Sequence, residues 1–65
     1  MKIKDFLENF QGTNYIEVYD RYDFSTHRFN DSNMTIKEYG GFTVKGWKIY
    51  ENILVIEVQS QCIYI

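Results

Sequence analysis

Residues 44–58 constrain the fold more than any other stretch. Two segments rich in β-branched, aliphatic and aromatic side chains, 44–50 and 53–58, are separated only by Glu51-Asn52. Such segments favour strands, and a two-residue connection makes them a hairpin with a fixed register. Tyr50 then faces Ile53, Ile49 faces Leu54, Lys48 faces Val55 and Trp47 faces Ile56. Because strand side chains alternate, Trp47, Ile49, Leu54, Ile56 and Val58 share one face, which is expected to be the core face. Lys48, Tyr50, Ile53, Val55 and Glu57 share the other. Asn52 suits a left-handed turn position, and Glu51 suits one less well.

A lone hairpin is marginal in water, so the rest of the chain must cover it. Ile3, Phe6, Leu7 and Phe10 stand at i, i+3, i+4 and i+7, one apolar stripe of a helix. That spacing predicts a helix over residues 2–10, stopped by Gly12. Residues 15–19, Tyr-Ile-Glu-Val-Tyr, alternate as a strand. Ile16 and Val18 should face the helix, leaving Tyr15, Glu17 and Tyr19 on the outer face. Asp20-Arg21-Tyr22-Asp23 reads as a turn and 24–29 as a second strand. The faces of that strand depend on the turn, since a slip of one residue inverts every side chain. A two- or four-residue loop turns Ser25 and His27 inward. An odd loop turns Phe24 and Thr26 inward, and on packing that is the expected arrangement.

Asn30-Asp31-Ser32-Asn33 clusters turn and N-cap formers. Thr35 and Glu38 have capping-box spacing, and Gly40-Gly41 ends the segment. A short helical turn is expected over 33–39, with Met34 and Tyr39 as contacts. The tail, Cys62-Ile63-Tyr64-Ile65, is apolar to its last residue; it either continues the strand or packs on the core. The expected fold is thus a single α+β domain over residues 1–65. An N-terminal helix packs on one face of a small antiparallel sheet of three to four strands, with a short second helical turn (α-β-(β)-α-β-β).

At 65 residues the core is small, giving net stability of about 3–5 kcal/mol unless something staples it. Cys62 is the only cysteine, so no internal disulfide can form. Six Tyr, five Phe and one Trp compensate, each removing much apolar area from water. A formal charge of −2 gives no basic footprint for nucleic acid and is too weak for an acidic mimic of it. No apolar run approaches the length of a membrane span. The opening Met1-Lys2-Ile3-Lys4-Asp5 lacks the apolar core of a secretory signal. A lone thiol without such a signal fits a cytoplasmic setting. The absence of Ala and Pro, beside abundant Ile, Lys, Asn, Tyr and Phe, points to an AT-rich genome.

Residues able to carry chemistry are few. His27 has no nucleophile and oxyanion site assembled around it, and an edge histidine is the expected role. Cys62 is expected to act as a small apolar residue. Asp20, Asp23 and Asp31 do not have EF-hand spacing and are expected to be solvated turn residues. Gly40-Gly41 lacks the strand and Lys-Ser/Thr of a phosphate loop. The sequence therefore predicts no enzyme, no cofactor and no metal. What remains is aromatic: Tyr15, Tyr19, Tyr22 and Tyr50 on or beside an outer sheet face, a composition suited to protein interfaces.

The opening Met1-Lys2-Ile3-Lys4-Asp5-Phe6-Leu7, the strand Ile16-Glu17-Val18-Tyr19-Asp20 and the closing segment 44–58 together resemble very short accessory proteins of phages and mobile elements of low-GC Gram-positive bacteria. That class includes anti-CRISPR-type inhibitors. The resemblance implies a non-catalytic factor that binds and blocks a host protein, such as a CRISPR effector. The residues expected to contact the partner are Tyr15, Glu17, Tyr19, Tyr22, Lys48 and Tyr50. Two alternatives stand beside this. One is a self-associating structural module whose dimer edge is Cys62, Ile63, Tyr64 and Ile65; the other is a single-stranded nucleic-acid binder that stacks bases on the tyrosine face.

Overall fold

The computed structural model describes residues 1–10 and 15–61. In chain order these form α1 (Ile3–Glu8), β1 (Tyr15–Asp20), β2 (Ser25–Phe29), α2 (Ser32–Tyr39), β3 (Gly46–Tyr50) and β4 (Ile53–Val58). This is the expected α+β order, with the second strand present. Gly12 and the tail at 62–65 lie outside the described residues.

The sheet has four strands in the order β2-β1-β4-β3. Two antiparallel hairpins, β1–β2 and β3–β4, lie side by side. Their inner strands run parallel, with Ile16 opposite Leu54 and Val18 opposite Ile56. The sheet is therefore mixed rather than wholly antiparallel. It follows that β2 and β3 point the same way, so the chain must return across a face between them, and a helix is the usual device for such a crossover. α2 makes that return. The two most apolar strands are thereby central, and the core is Ile3, Leu7, Ile16, Val18, Leu54, Ile56 and Val58. Each such side chain contributes about 1.5–3 kcal/mol on burial. Phe6, Phe10, Phe29, Ile36, Tyr39 and Phe42 pack around it.

α1 has only six residues and no side-chain N-cap. Its first N–H groups are satisfied instead by the segment after α2. Ile3 N donates to the Phe42 carbonyl at 2.9 Å and Lys4 N to that of Gly40 at 3.1 Å. Lys2 bridges Thr43 in an antiparallel pair, and Val44 N donates to the Met1 carbonyl at 2.8 Å. Orphan donors at a helix start need such partners, and here they fasten α1 to the chain just ahead of β3.

α2 is capped by Asp31, whose carboxylate accepts from Met34 N at 2.8 Å. Thr35 is buried, and its hydroxyl donates to the Asp31 carbonyl at 2.9 Å. The Thr35/Glu38 spacing is thus not a capping box. Of the two expected contacts, Tyr39 packs against Phe29 and Phe42, whereas Met34 faces solvent.

The β3–β4 register is the expected one throughout, and Trp47 and Ile49 do lie on the helix side. They are not core, however: they remain 55% and 50% exposed. β3 is an edge strand, and the helix layer reaches only as far as Phe6, whose ring lies 5.5 Å from that of Trp47. The odd-loop expectation for β2 is also corrected. Ser25, His27 and Phe29 pair with Asp20, Val18 and Ile16, so they face the helices, while Thr26 faces outward. The turn has four residues, 21–24, closed by Phe24 N donating to the Asp20 carbonyl at 2.9 Å. Phe24 adopts a left-handed φ of 60° and is left 75% exposed. Phe29 fills the inward aromatic position instead.

Glu51 likewise has a φ of 56°. A left-handed residue other than glycine costs about 1–2 kcal/mol, partly offset on replacement by glycine's larger entropy loss. Glu51→Gly is expected to stabilise the protein by about 0.5–1 kcal/mol, raising Tm by a few degrees in a thermal melt.

Candidate functional site

Both helices cover one side of the sheet. Alternation then gives the other side Tyr15, Glu17 and Tyr19 from β1, Thr26 and Arg28 from β2, Ile53, Val55 and Glu57 from β4, and Lys48 and Tyr50 from β3. An open concavity of about 490 Å³ lies on this face. It is lined by Glu17, Tyr19, Thr26, Lys48, Tyr50, Ile53, Val55 and Glu57. Four of the expected contact residues, Glu17, Tyr19, Lys48 and Tyr50, thus come together in one hollow. Tyr15 lies on the same face at the start of β1 and is exposed. Tyr22 does not join them. It sits in the β1–β2 turn, its N–H bound to Asp20 Oδ1 at 2.9 Å.

The charges of this face are arranged in pairs. Arg28 Nε donates to Glu17 Oε1 at 2.9 Å across the β1–β2 ladder. Arg21 reaches Glu57 Oε2 at 2.7 Å. That second bridge lies over Gly46, where a Cβ would stand 2.9 Å from Glu57 Oε2. A side chain there would make the Glu57 carboxylate shift and disturb the bridge. Exposed pairs of this kind add little stability, but they neutralise both carboxylates. Among the described residues Lys48 has no ion-pair partner. Aromatic, aliphatic and charged side chains therefore interleave across the face, with Val55 between Glu17 and Lys48 and Tyr19 beside Glu57.

On the helix side, Asp20 ends β1 at 6% exposure. It was expected to be solvated, but its carboxylate turns under the 58–60 segment. Asp20 Oδ1 accepts from Tyr22 N at 2.9 Å and from Ser60 N at 3.1 Å. Burial alone would push this carboxyl up. The hydrogen bonds from Ser60 and Tyr22, with the nearby His27, outweigh it and hold the carboxyl below its ordinary value. Burial, together with the charges of Asp20, Glu38 and Asp23, pushes the Tyr39 phenol up. His27 is exposed on edge strand β2, its ring 5.8 Å from that of Tyr39. Asp23 accepts from Ser25 N at 3.0 Å, and Asp31 caps α2. Asp20, Asp23 and Asp31 thus each accept from backbone N–H. No group of three potential metal ligands occurs among the described residues. No helix among them is long and apolar enough to cross a membrane.

Ile53 and Val55, placed on the outer face by the hairpin register, line the hollow but carry no chemistry that would mark them in a sequence. Phe24 was missed for another reason: its exposure depends on the turn conformation, which no residue pattern announces. No family model, curated protein or solved structure matches the chain.

Proposed function

We propose that this protein is a non-catalytic binding factor whose uncovered sheet face docks on another protein. The observation that supports this reading is the hollow lined by Tyr19, Tyr50, Ile53 and Val55 together with Glu17, Glu57 and Lys48. A sheet face can stay wet, but this one brings tyrosines and aliphatic side chains together with charges in one hollow, a composition suited to an interface. Tyr15 extends it along β1. The resemblance to phage and mobile-element accessory proteins makes a bacterial host protein the partner, a CRISPR effector among the candidates, in the host cytoplasm. The factor would work by covering a surface the host protein needs. Single-stranded nucleic acid fits less well. Phosphate contacts dominate such affinity, and among the described residues the cations Arg21 and Arg28 are paired while Lys48 has no ion-pair partner.

Immobilised protein incubated with lysate of a low-GC Gram-positive host is expected to retain one stoichiometric protein. The double variant Tyr19→Arg, Tyr50→Arg is expected to lose at least about tenfold in retention, as for a hot-spot pair. Met34→Arg, on the exposed side of α2, is expected to retain it fully. Equal retention by all three, or no stoichiometric protein, would count against the proposal.

A further inference from the structure

The two edges of the sheet are unlike. Edge β2 carries Ser25, Thr26, His27 and Arg28, with Arg28 paired to Glu17. Such a polar, charged strand discourages further pairing. Edge β3 carries Trp47, Ile49 and Tyr50, at 55%, 50% and 62% exposure, with Lys48 as its single charge and no proline. A two-residue turn closes on a hydrogen-bonded pair, Tyr50 and Ile53, and antiparallel bonding then alternates. The N–H and C=O groups of Tyr50 and Lys48 thus point to β4, while those of Ile49 and Trp47 point outward. An unprotected edge of this kind is a template for another strand.

We infer that β3 pairs with β3 of a second copy, antiparallel about a two-fold axis at Ile49. The charge pattern selects both occupant and register. A strand pairing with itself can centre on Trp47, Lys48 or Ile49. Centred on Lys48, it sets the two lysines at a non-hydrogen-bonded position, where facing side chains are closest and like charges repel. Centred on Trp47, it sets Lys48 against Gly46 and leaves the cation unpartnered. Centred on Ile49, it sets Lys48 against Tyr50 of the second copy, twice by symmetry, a cation–aromatic pair on the outer face. Ile49 then meets its own copy on the helix side, where each is half exposed in the monomer. The face is self-complementary, as a two-fold interface requires. The pairing joins two sheets and brings their outer faces into one continuous surface. It shares Lys48 and Tyr50 with the proposed partner surface, while the residue at its axis, Ile49, lies on the opposite side of the sheet.

Sedimentation velocity from about 1 µM to 1 mM tests this. The expected result is a monomer–dimer equilibrium with Kd of about 10–100 µM, the range of a small interface. Ile49→Lys places two ammonium groups at the axis and is expected to weaken the dimer at least tenfold, with an unchanged circular dichroism spectrum. Ile49→Pro removes only an outward N–H, so it is expected to fold and to stay monomeric. Because Cys62 would confuse cross-linking, register is read in a Cys62→Ser background. There, oxidised Ile49→Cys is expected to give the disulfide dimer and oxidised Lys48→Cys is not. A monomer at 1 mM, a dimer unaffected by Ile49→Lys, or cross-linking through position 48 alone would overturn the inference, the first leaving the edge to a strand of another protein.

Discussion

Asp20→Ala is expected to lower stability by about 2–4 kcal/mol, because two backbone N–H groups lose a charged acceptor in a buried setting. For a domain of this size, with net stability of about 3–5 kcal/mol, that is most of the stability there is. The carboxylate joins three elements: the end of β1, the 21–24 turn through Tyr22 N, and the segment after β4 through Ser60 N. Asp20→Asn keeps one acceptor but lacks the charge and is expected to fall between wild type and Asp20→Ala. Urea titrations of the three proteins at neutral pH measure this order.

The same group sets the acid limb. Its carboxyl is held below its ordinary value in the folded state, so the unfolded chain takes up a proton first as pH falls. The stabilisation is fully present above the ordinary aspartate value of about 4. It declines below that value and is gone once the pH has dropped through the folded-state value. Asp20→Asn is expected to lack this part of the decline. Tyr39 acts at the other end. Its phenol is pushed up, so the unfolded chain loses that proton first, and stability falls as pH rises above about 10.

Ile56→Ala is expected to cost about 2–5 kcal/mol and Val55→Ala less than about 1 kcal/mol. The two residues are neighbours on β4, yet Ile56 is fully buried between Val18 and Trp47 on the ladder, and its truncation leaves a cavity. Val55 faces the hollow, where water can follow the lost methyl groups. The contrast tests which face of the sheet is covered. Equal effects of the two substitutions would mean that the outer face is packed as well.

Much of this fold was legible because the signals are local. The Glu51-Asn52 turn and its flanking segments fix the β3–β4 register, and the stripe Ile3, Phe6, Leu7 places α1, which spans Ile3–Glu8 rather than 2–10 and leaves Phe10 beyond its end. The parallel joint of β1 and β4 was not legible. Two apolar strands far apart in sequence carry no mark of relative direction, and only the α2 crossover decides it. The faces of β2 turned on one backbone angle, the left-handed φ of Phe24, which sets a four-residue turn and moves the inward aromatic from Phe24 to Phe29. Asp20 reads as a turn residue in sequence, since nothing local foretells that Ser60 will reach it. On the site side, alternation alone placed Tyr15, Glu17, Tyr19, Lys48 and Tyr50 on one face. Tyr22 departed because it lies in the turn, where alternation no longer holds. Trp47 and Ile49 were given the right face and the wrong burial. Pattern specifies direction, but the width of the helix layer decides how far cover extends.

The central claim is that the sheet face left bare by the two helices is the recognition surface. The direct measurement is a ¹H–¹⁵N spectrum of labelled protein titrated with the host protein it captures. The account predicts that perturbed and broadened signals concentrate at Tyr15, Glu17, Tyr19, Lys48, Tyr50 and Val55, while Lys4, Glu8, Asn33 and Lys37 stay in place. Perturbation centred on α1 and α2, with the tyrosine face unmoved, would contradict it.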